Sequence, residues 1–191
     1  GGPWNLRCGG TRTGSVVTVR IAVVGPTHPY KGGIAQHTTE LARRLADAGH
    51  DTVLVSWRSQ YPAWLYPGQL TVADGDRDTA EFDRVSAELD WYDPASWVRT
   101  GRRLRTADLV VVAYSNPFQV PAYVAMLRAA RSASPRPKVV LVTHNVIPHD
   151  SSRWQQRAVA ALGAQADGAV VHTAAEQQLA LEVMPSVATV V

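Results

Sequence analysis

The chain has 191 residues, 46% hydrophobic and 18% charged, enough for one domain with a sizeable core. Its single cysteine, Cys8, excludes an internal disulfide, and no apolar run reaches the ~18 residues of a membrane span. A net charge of +3, with a sequence pI near 9.3, favours anionic partners: phosphates, lipid headgroups or nucleic acid.

Residues 1–17 open glycine-rich and without periodicity, and read as a disordered leader; residues 18–191 read as one domain. Within it, 18–25 (TVRIAVVG), 52–57, 69–73, 108–114, 138–143, 168–172 and 187–191 read as strands. Most of these runs are continuously apolar, the pattern of strands covered on both faces of a parallel sheet. Helical patterns lie between them. The first, 34–48, places Ile34, Leu41, Leu45 and Ala48 on one stripe and ends at Gly49. Residues 58–68 read as a loop, and 74–94 as an acidic segment of uncertain structure. The spacing predicts further helices over 95–105, 118–132 (Pro121 in its first turn), 151–165 (behind Asp150 or Ser151) and 174–183. Thr173 and Glu176 form a capping box at the start of the last. This alternation predicts an α/β fold: a Rossmann-like, doubly wound, mainly parallel sheet with helices on both faces. Ligands of such sheets bind outside the carboxyl ends of the strands.

The loop after the first strand, 26–33, is longer than the ~2–6 residues usual between a strand and a helix. It ends in Gly32-Gly33. Paired glycines at a helix N-terminus expose backbone N–H groups at the positive end of the helix dipole, an arrangement that suits an anion. A side chain at Gly33 would keep a phosphate from those donors. The Walker loop and the dinucleotide fingerprint both fail on the letters, because Lys31 precedes the glycines and Gly25 stands alone at the strand end.

His144 follows another strand, with Asn145 and His149 just beyond. A neutral imidazole there could donate to a sugar hydroxyl or shuttle a proton. Asp74-Gly75-Asp76 fits no calcium loop and reads as a solvated turn, and no Cys/His cluster has zinc spacing. The acidic segment is followed at once by Arg99, Arg102, Arg103 and Arg105. The two faces could pair with each other; alternatively Trp97 with Arg99, Arg102 and Arg103 could form a peripheral membrane contact. The aromatics Trp57, Tyr61, Trp64 and Tyr66 read as a loop folded onto the core, with cover for an acceptor or lipid as the alternative.

Three stretches together, GPTHPYKGGIAQHTTELARRLADAGHDTVLVS, VTHNVIPHD and ADGAVVHTAAEQQL, resemble the N-terminal domain of glycosyltransferase family 4 over roughly residues 18–191. The resemblance implies one half of a GT-B fold and a retaining transfer of a sugar from a nucleotide-sugar donor to a glycan or lipid-linked acceptor hydroxyl. It implies that Gly32 and Gly33 meet the donor diphosphate, that His144 lies in the cleft near the donor sugar, and that His37 is the histidine of the Gly-Gly-x-x-x-His loop. It implies no metal. No cofactor, no nucleic-acid partner and a cytoplasmic protein are expected alongside it, with the inner face of the membrane as an alternative place. The family's second domain carries two glutamates with seven residues between them; here Glu81 and Glu88 have six. The expectation is a fragment that lacks the donor-binding domain and is inactive alone. A non-catalytic anion- or nucleotide-binding module and a membrane-surface domain are the rival readings.

Overall fold

The computed structural model describes residues 17–62, 82–144 and 152–191. Chain order runs β1 (Arg20–Val24), α1 (Gly33–Asp47), β2 (Asp51–Ser59), β3 (Val85–Asp90), α2 (Pro94–Arg103), β4 (Leu109–Tyr114), α3 (Val120–Ala130), β5 (Lys138–Thr143), α4 (Arg153–Gly163), β6 (Gly168–Val170), α5 (Ala174–Val183) and β7 (Ala188–Val190). Short 3-10 turns extend α2 to Thr106 and lead into α3 from Pro117. The seven strands form one sheet in the order β3-β2-β1-β4-β5-β6-β7, and every described pairing is parallel. The order reverses between β1 and β4. This is the Rossmann-like α/β architecture expected from the alternation of apolar runs and helices.

Alternate side chains of the central strands feed two cores. Ile21, Val23, Leu54, Val111 and Val142 form the core on the α1 face, where Ala42 joins them. Ala22, Val24, Val53, Val55, Val110, Val112 and Leu141 form the larger core on the other face with Tyr123, Met126 and Leu127 of α3. Burial on both faces explains why these strands are apolar without alternation.

The contact face of α1 is not the expected stripe. Ala35, Thr38, Thr39 and Ala42 are its buried residues, while Leu41 and Leu45 pack at the margin. Small side chains let the helix approach the sheet closely. Gly25 is part of the same fit: a Cβ there would lie 2.9 Å from Ala113 Cβ and 3.1 Å from Thr38 Cγ2. Gly49, at φ +92°, ends the helix as expected.

β3 lies inside the segment read as acidic and uncertain. Its outer half is exposed, Leu89 and Asp90 are buried, and it carries two acids, so its composition hid it. The acidic and basic runs do pair. Glu88 meets Arg103 at 2.6 Å, Asp93 meets Arg99 at 3.8 Å, and Asp90 meets Arg58 at 3.0 Å. Trp97 is turned inward, half-buried against the core, with its indole N–H donating to Asp90 O at 2.6 Å. The membrane-contact reading gains no support here: Trp97 faces the protein, and Arg99 and Arg103 each have a carboxylate partner. Trp57 is core as well, 2% exposed and bonded to Tyr123. Arg58 and Ser59 extend β2 rather than opening the loop expected over 58–68. α4 is capped at Ser152, whose N–H donates to Gln155 Oε1 at 2.8 Å, one residue beyond the expected cap. The expected strand at 69–73, Asp74-Gly75-Asp76, Trp64, Tyr66, Asn145, His149 and the leader up to residue 16 lie outside the described residues.

Gly101 is the tightest point between α2 and α3. A Cβ there would stand 2.2 Å from Met126 O and 2.7 Å from Ala129 Cβ. Backbone cannot yield as a flexible side chain does. Gly101→Ala should therefore cost about 2 kcal/mol or more of unfolding free energy, read from urea denaturation. A change below about 0.5 kcal/mol would show that the two helices move apart freely.

Candidate functional site

The loop from β1 to α1 is anchored at two points. Thr27, buried, shares a 2.6 Å hydrogen bond with Thr39 of α1. The Tyr30 hydroxyl donates to Arg58 O at 2.9 Å. Between these anchors and the helix, Lys31, Gly32 and Gly33 are exposed. Helix α1 starts from the Gly32 carbonyl, which accepts from the N–H groups of Ala35 and Gln36 at 3.1 and 3.3 Å. Among the described residues no side chain caps this N-terminus, and no acid stands in its first turn. By contrast α2 is capped by Asp93, and α5 by Thr173 with Glu176 in its first turn. The dipole end of α1 is thus left without side-chain compensation.

The two glycines have different reasons to be glycine. Gly32 sits at φ +112°, in the left-handed region that disfavours side chains. Gly33 has no such backbone requirement, and a Cβ built on it meets no atom within 4 Å among the described residues. Nothing described in the chain requires glycine at 33. The space beside it is open to solvent and lies over the helix N-terminus.

One turn into α1, His37 turns toward the neighbouring strand ends and meets two other histidines. Its ring centroid is 4.7 Å from that of His144, edge to face at 84°. His144 stands directly after β5, with its backbone N–H donating to Tyr114 O at 3.0 Å. The structure therefore sets His37, one turn after the Gly32-Gly33 pair, against His144, which the sequence offered separately from that loop. The third ring is His172, after β6, 4.9 Å from His144 and 5.9 Å from His37. It was missed, although it too stands at the carboxyl end of a strand, two residues past β6. Its neighbours Thr173 and Glu176 drew attention only as a cap.

His37 and His172 are exposed, and His144 is half-buried beside them. His144 Nε2 is buried and has no hydrogen-bond partner among the described residues. Burial is the main reason its pKa falls to about 4, and the nearby His37 and His172 push it further in the same direction against Glu176. Burial, then His172, also lowers His37. Around neutral pH His144 is consequently an uncharged imidazole, able to exchange hydrogen bonds but poorly placed to hold a proton. Among the described residues, no group of three or more His, Cys, Asp or Glu side chains is set to hold a metal ion. No described helix is long and apolar enough to cross a membrane. A separate cavity of about 230 Å³ between β2, β3 and α2 is lined by valines, Leu104, Arg84 and Arg103, and includes neither the loop glycines nor the three histidines. Its two arginines are held by Asp51 and Glu88.

Comparison with known proteins adds a family to this geometry. Among solved structures, the chain is similar to an alpha-glucosyltransferase in complex with UDP and a 13-mer DNA containing a HMU base, at TM-score 0.56 and 14% identity, covering 90% of this chain and 41% of that one. It is also similar to an alpha-glucosyltransferase in complex with UDP-glucose and DNA containing an abasic site, at TM-score 0.55 and 14% identity, with 88% and 40% covered. This chain thus spans about two fifths of each. Identity this low speaks for the fold alone: a Rossmann-like α/β domain that matches part of the neighbours' GT-B fold. Both neighbours hold DNA, so the expectation that nucleic acid plays no part finds no support in them. No curated protein matches the sequence. The model of Glycosyltransferase Family 4 matches residues 31–191, and the chain belongs to that family.

Proposed function

We propose that this domain forms the acceptor side of a retaining glycosyltransferase that moves a sugar from a nucleotide-sugar donor to a hydroxyl of a glycan or lipid-linked acceptor. In this reading the donor diphosphate lies over Gly32 and Gly33. The observation that carries it is Gly33, a glycine that no described contact and no unusual backbone angle requires. A ligand approaching the helix N-terminus supplies the missing reason. As the bond from the sugar to the diphosphate breaks, negative charge grows on the leaving oxygens. Donors already fixed in place stabilise that charge without reorganising, and one such donor is worth about 3 kcal/mol. His144 and His37 then face the donor sugar. A neutral His144 offers a hydrogen bond to a sugar hydroxyl, which favours positioning over proton transfer at neutral pH. The UDP and UDP-glucose of the structural neighbours make a uridine nucleotide the natural first probe.

Gly33→Val separates the ligand role from the fold. Because a Cβ there meets nothing within 4 Å, the melting temperature should stay within a degree or two of the parent. UDP affinity, and kcat/KM for the nucleotide-sugar in the active enzyme, should fall at least tenfold, about 1.4 kcal/mol. Unchanged UDP binding in a folded Gly33→Val protein would remove the diphosphate from this loop.

The neutral state of His144 has a signature in stability. Its ordinary value is 6.5 and its folded value about 4, so between these the unfolded chain binds the proton more readily. The contribution is intact above pH 6.5 and is lost as pH falls toward 4. His144→Gln should flatten the fall in Tm over that window. The steeper fall at lower pH should persist, since it belongs to carboxylates such as Glu40, held at about 2 by Arg43 and Arg44, and Asp108, lowered by Arg20. Parallel curves for parent and variant between pH 6.5 and 4 would mean that His144 is not desolvated in the folded chain.

A further inference from the structure

His172 has no role in the reading above, yet it is better fixed than an exposed histidine needs to be. Its backbone N–H donates to Glu176 Oε2 at 3.1 Å, and the Glu176 N–H donates to Thr173 Oγ1 at 3.2 Å. These bonds pin the turn from β6 into α5 on both sides of the histidine. The ring that leaves this turn lies 4.9 Å from the His144 ring at a 35° tilt, and 5.9 Å from His37 nearly at right angles. His144 is therefore held between a ring from α1 and a ring from the β6–α5 turn.

That packing matters because His144 Nε2 finds no hydrogen-bond partner among the described residues. The torsion that swings an imidazole is broad, and without a bond at that nitrogen, contact with neighbouring rings is what limits it. A group that must meet a sugar hydroxyl has to keep its angle to within about 10–20°.

We propose that His172 is a positioning residue for His144, its ring bracing the His144 imidazole from the β6 side so that His144 presents its nitrogen to a hydroxyl of the donor sugar. The sugar contact rests on the proposed function; the bracing stands on the ring geometry alone. The groups facing His144 are His37 from α1, His172 from the β6–α5 turn and Glu176 from α5. Removing the ring at 172 opens His144 to water and takes away one like-charged neighbour. Both changes make His144 easier to protonate.

The test compares His172→Ala with His172→Phe, which keeps a flat ring but no nitrogen. In the chain itself, the His144 imidazole is followed by NMR through a pH titration. Its midpoint should rise toward the ordinary imidazole range in His172→Ala and move less in His172→Phe. In the active enzyme with a nucleotide-sugar donor, kcat should fall about tenfold in His172→Ala with donor KM within threefold, and His172→Phe should recover most of the loss. An unmoved His144 midpoint in His172→Ala overturns the bracing whatever the enzyme does. Phe as damaging as Ala overturns it too, since His172 would then act through its own nitrogen. A moved midpoint with no effect on transfer supports the brace and instead counts against the sugar-contact reading of His144.

Discussion

The site depends on how closely α1 lies on the sheet. Gly25 leaves no room for a side chain between Ala113 of β4 and Thr38 of α1, and the helix turns Ala35, Thr38, Thr39 and Ala42 inward. Larger residues on that face would lift the helix. Its N-terminus would then rise off the carboxyl rim, and the ring of His37 would leave that of His144. The contact spans β1, β4 and α1, so it sits where the winding of the sheet reverses. Folds of this kind leave a crevice at that place, and the glycine loop borders it.

Two kinds of recognition are kept apart in this arrangement. The helix end offers oriented backbone donors, with no described capping side chain and no acid in its first turn. The imidazoles offer neutral hydrogen-bonding groups, because burial and mutual repulsion oppose protonation of His144 and His37. Under the proposed reading, diphosphate is met by the first and sugar by the second. The separation has an advantage: backbone donors keep their polarity at any pH, whereas charged histidines would lose theirs within the physiological range.

Much of this was legible in the letters. Strands buried on both faces announce themselves by unbroken apolar runs, and β5 runs from Lys138 to Thr143 as read. Helix α5 was bounded by its cap residues, Thr173 and Glu176. β3 escaped because an edge strand with one exposed end tolerates Glu88 and Asp90, which mask its apolar residues. The buried face of α1 escaped because Leu41 and Leu45 outweigh alanine and threonine on any hydrophobic scale, while close packing favours the small residues. Gly33 and His144 were singled out because strand ends are where ligands gather. His172 met the same criterion but was overshadowed by the cap beside it. That three rings from α1, β5 and β6 touch is a tertiary fact, which no local pattern contains.

The pairing of β1 with β4 has a kinetic corollary. Arg20 reaches Asp108 with its backbone N–H and its guanidinium, joining chain positions 88 apart. Distant pairings of this sort close slowly, because a long stretch of chain must lose its freedom before any bond rewards it. A partly folded molecule in which only β4 to β7 had paired would hold His144 beside His172 without the His37 ring. Closing the long loop between β1 and β4 is what brings the glycine turn and the first imidazole to the other two rings.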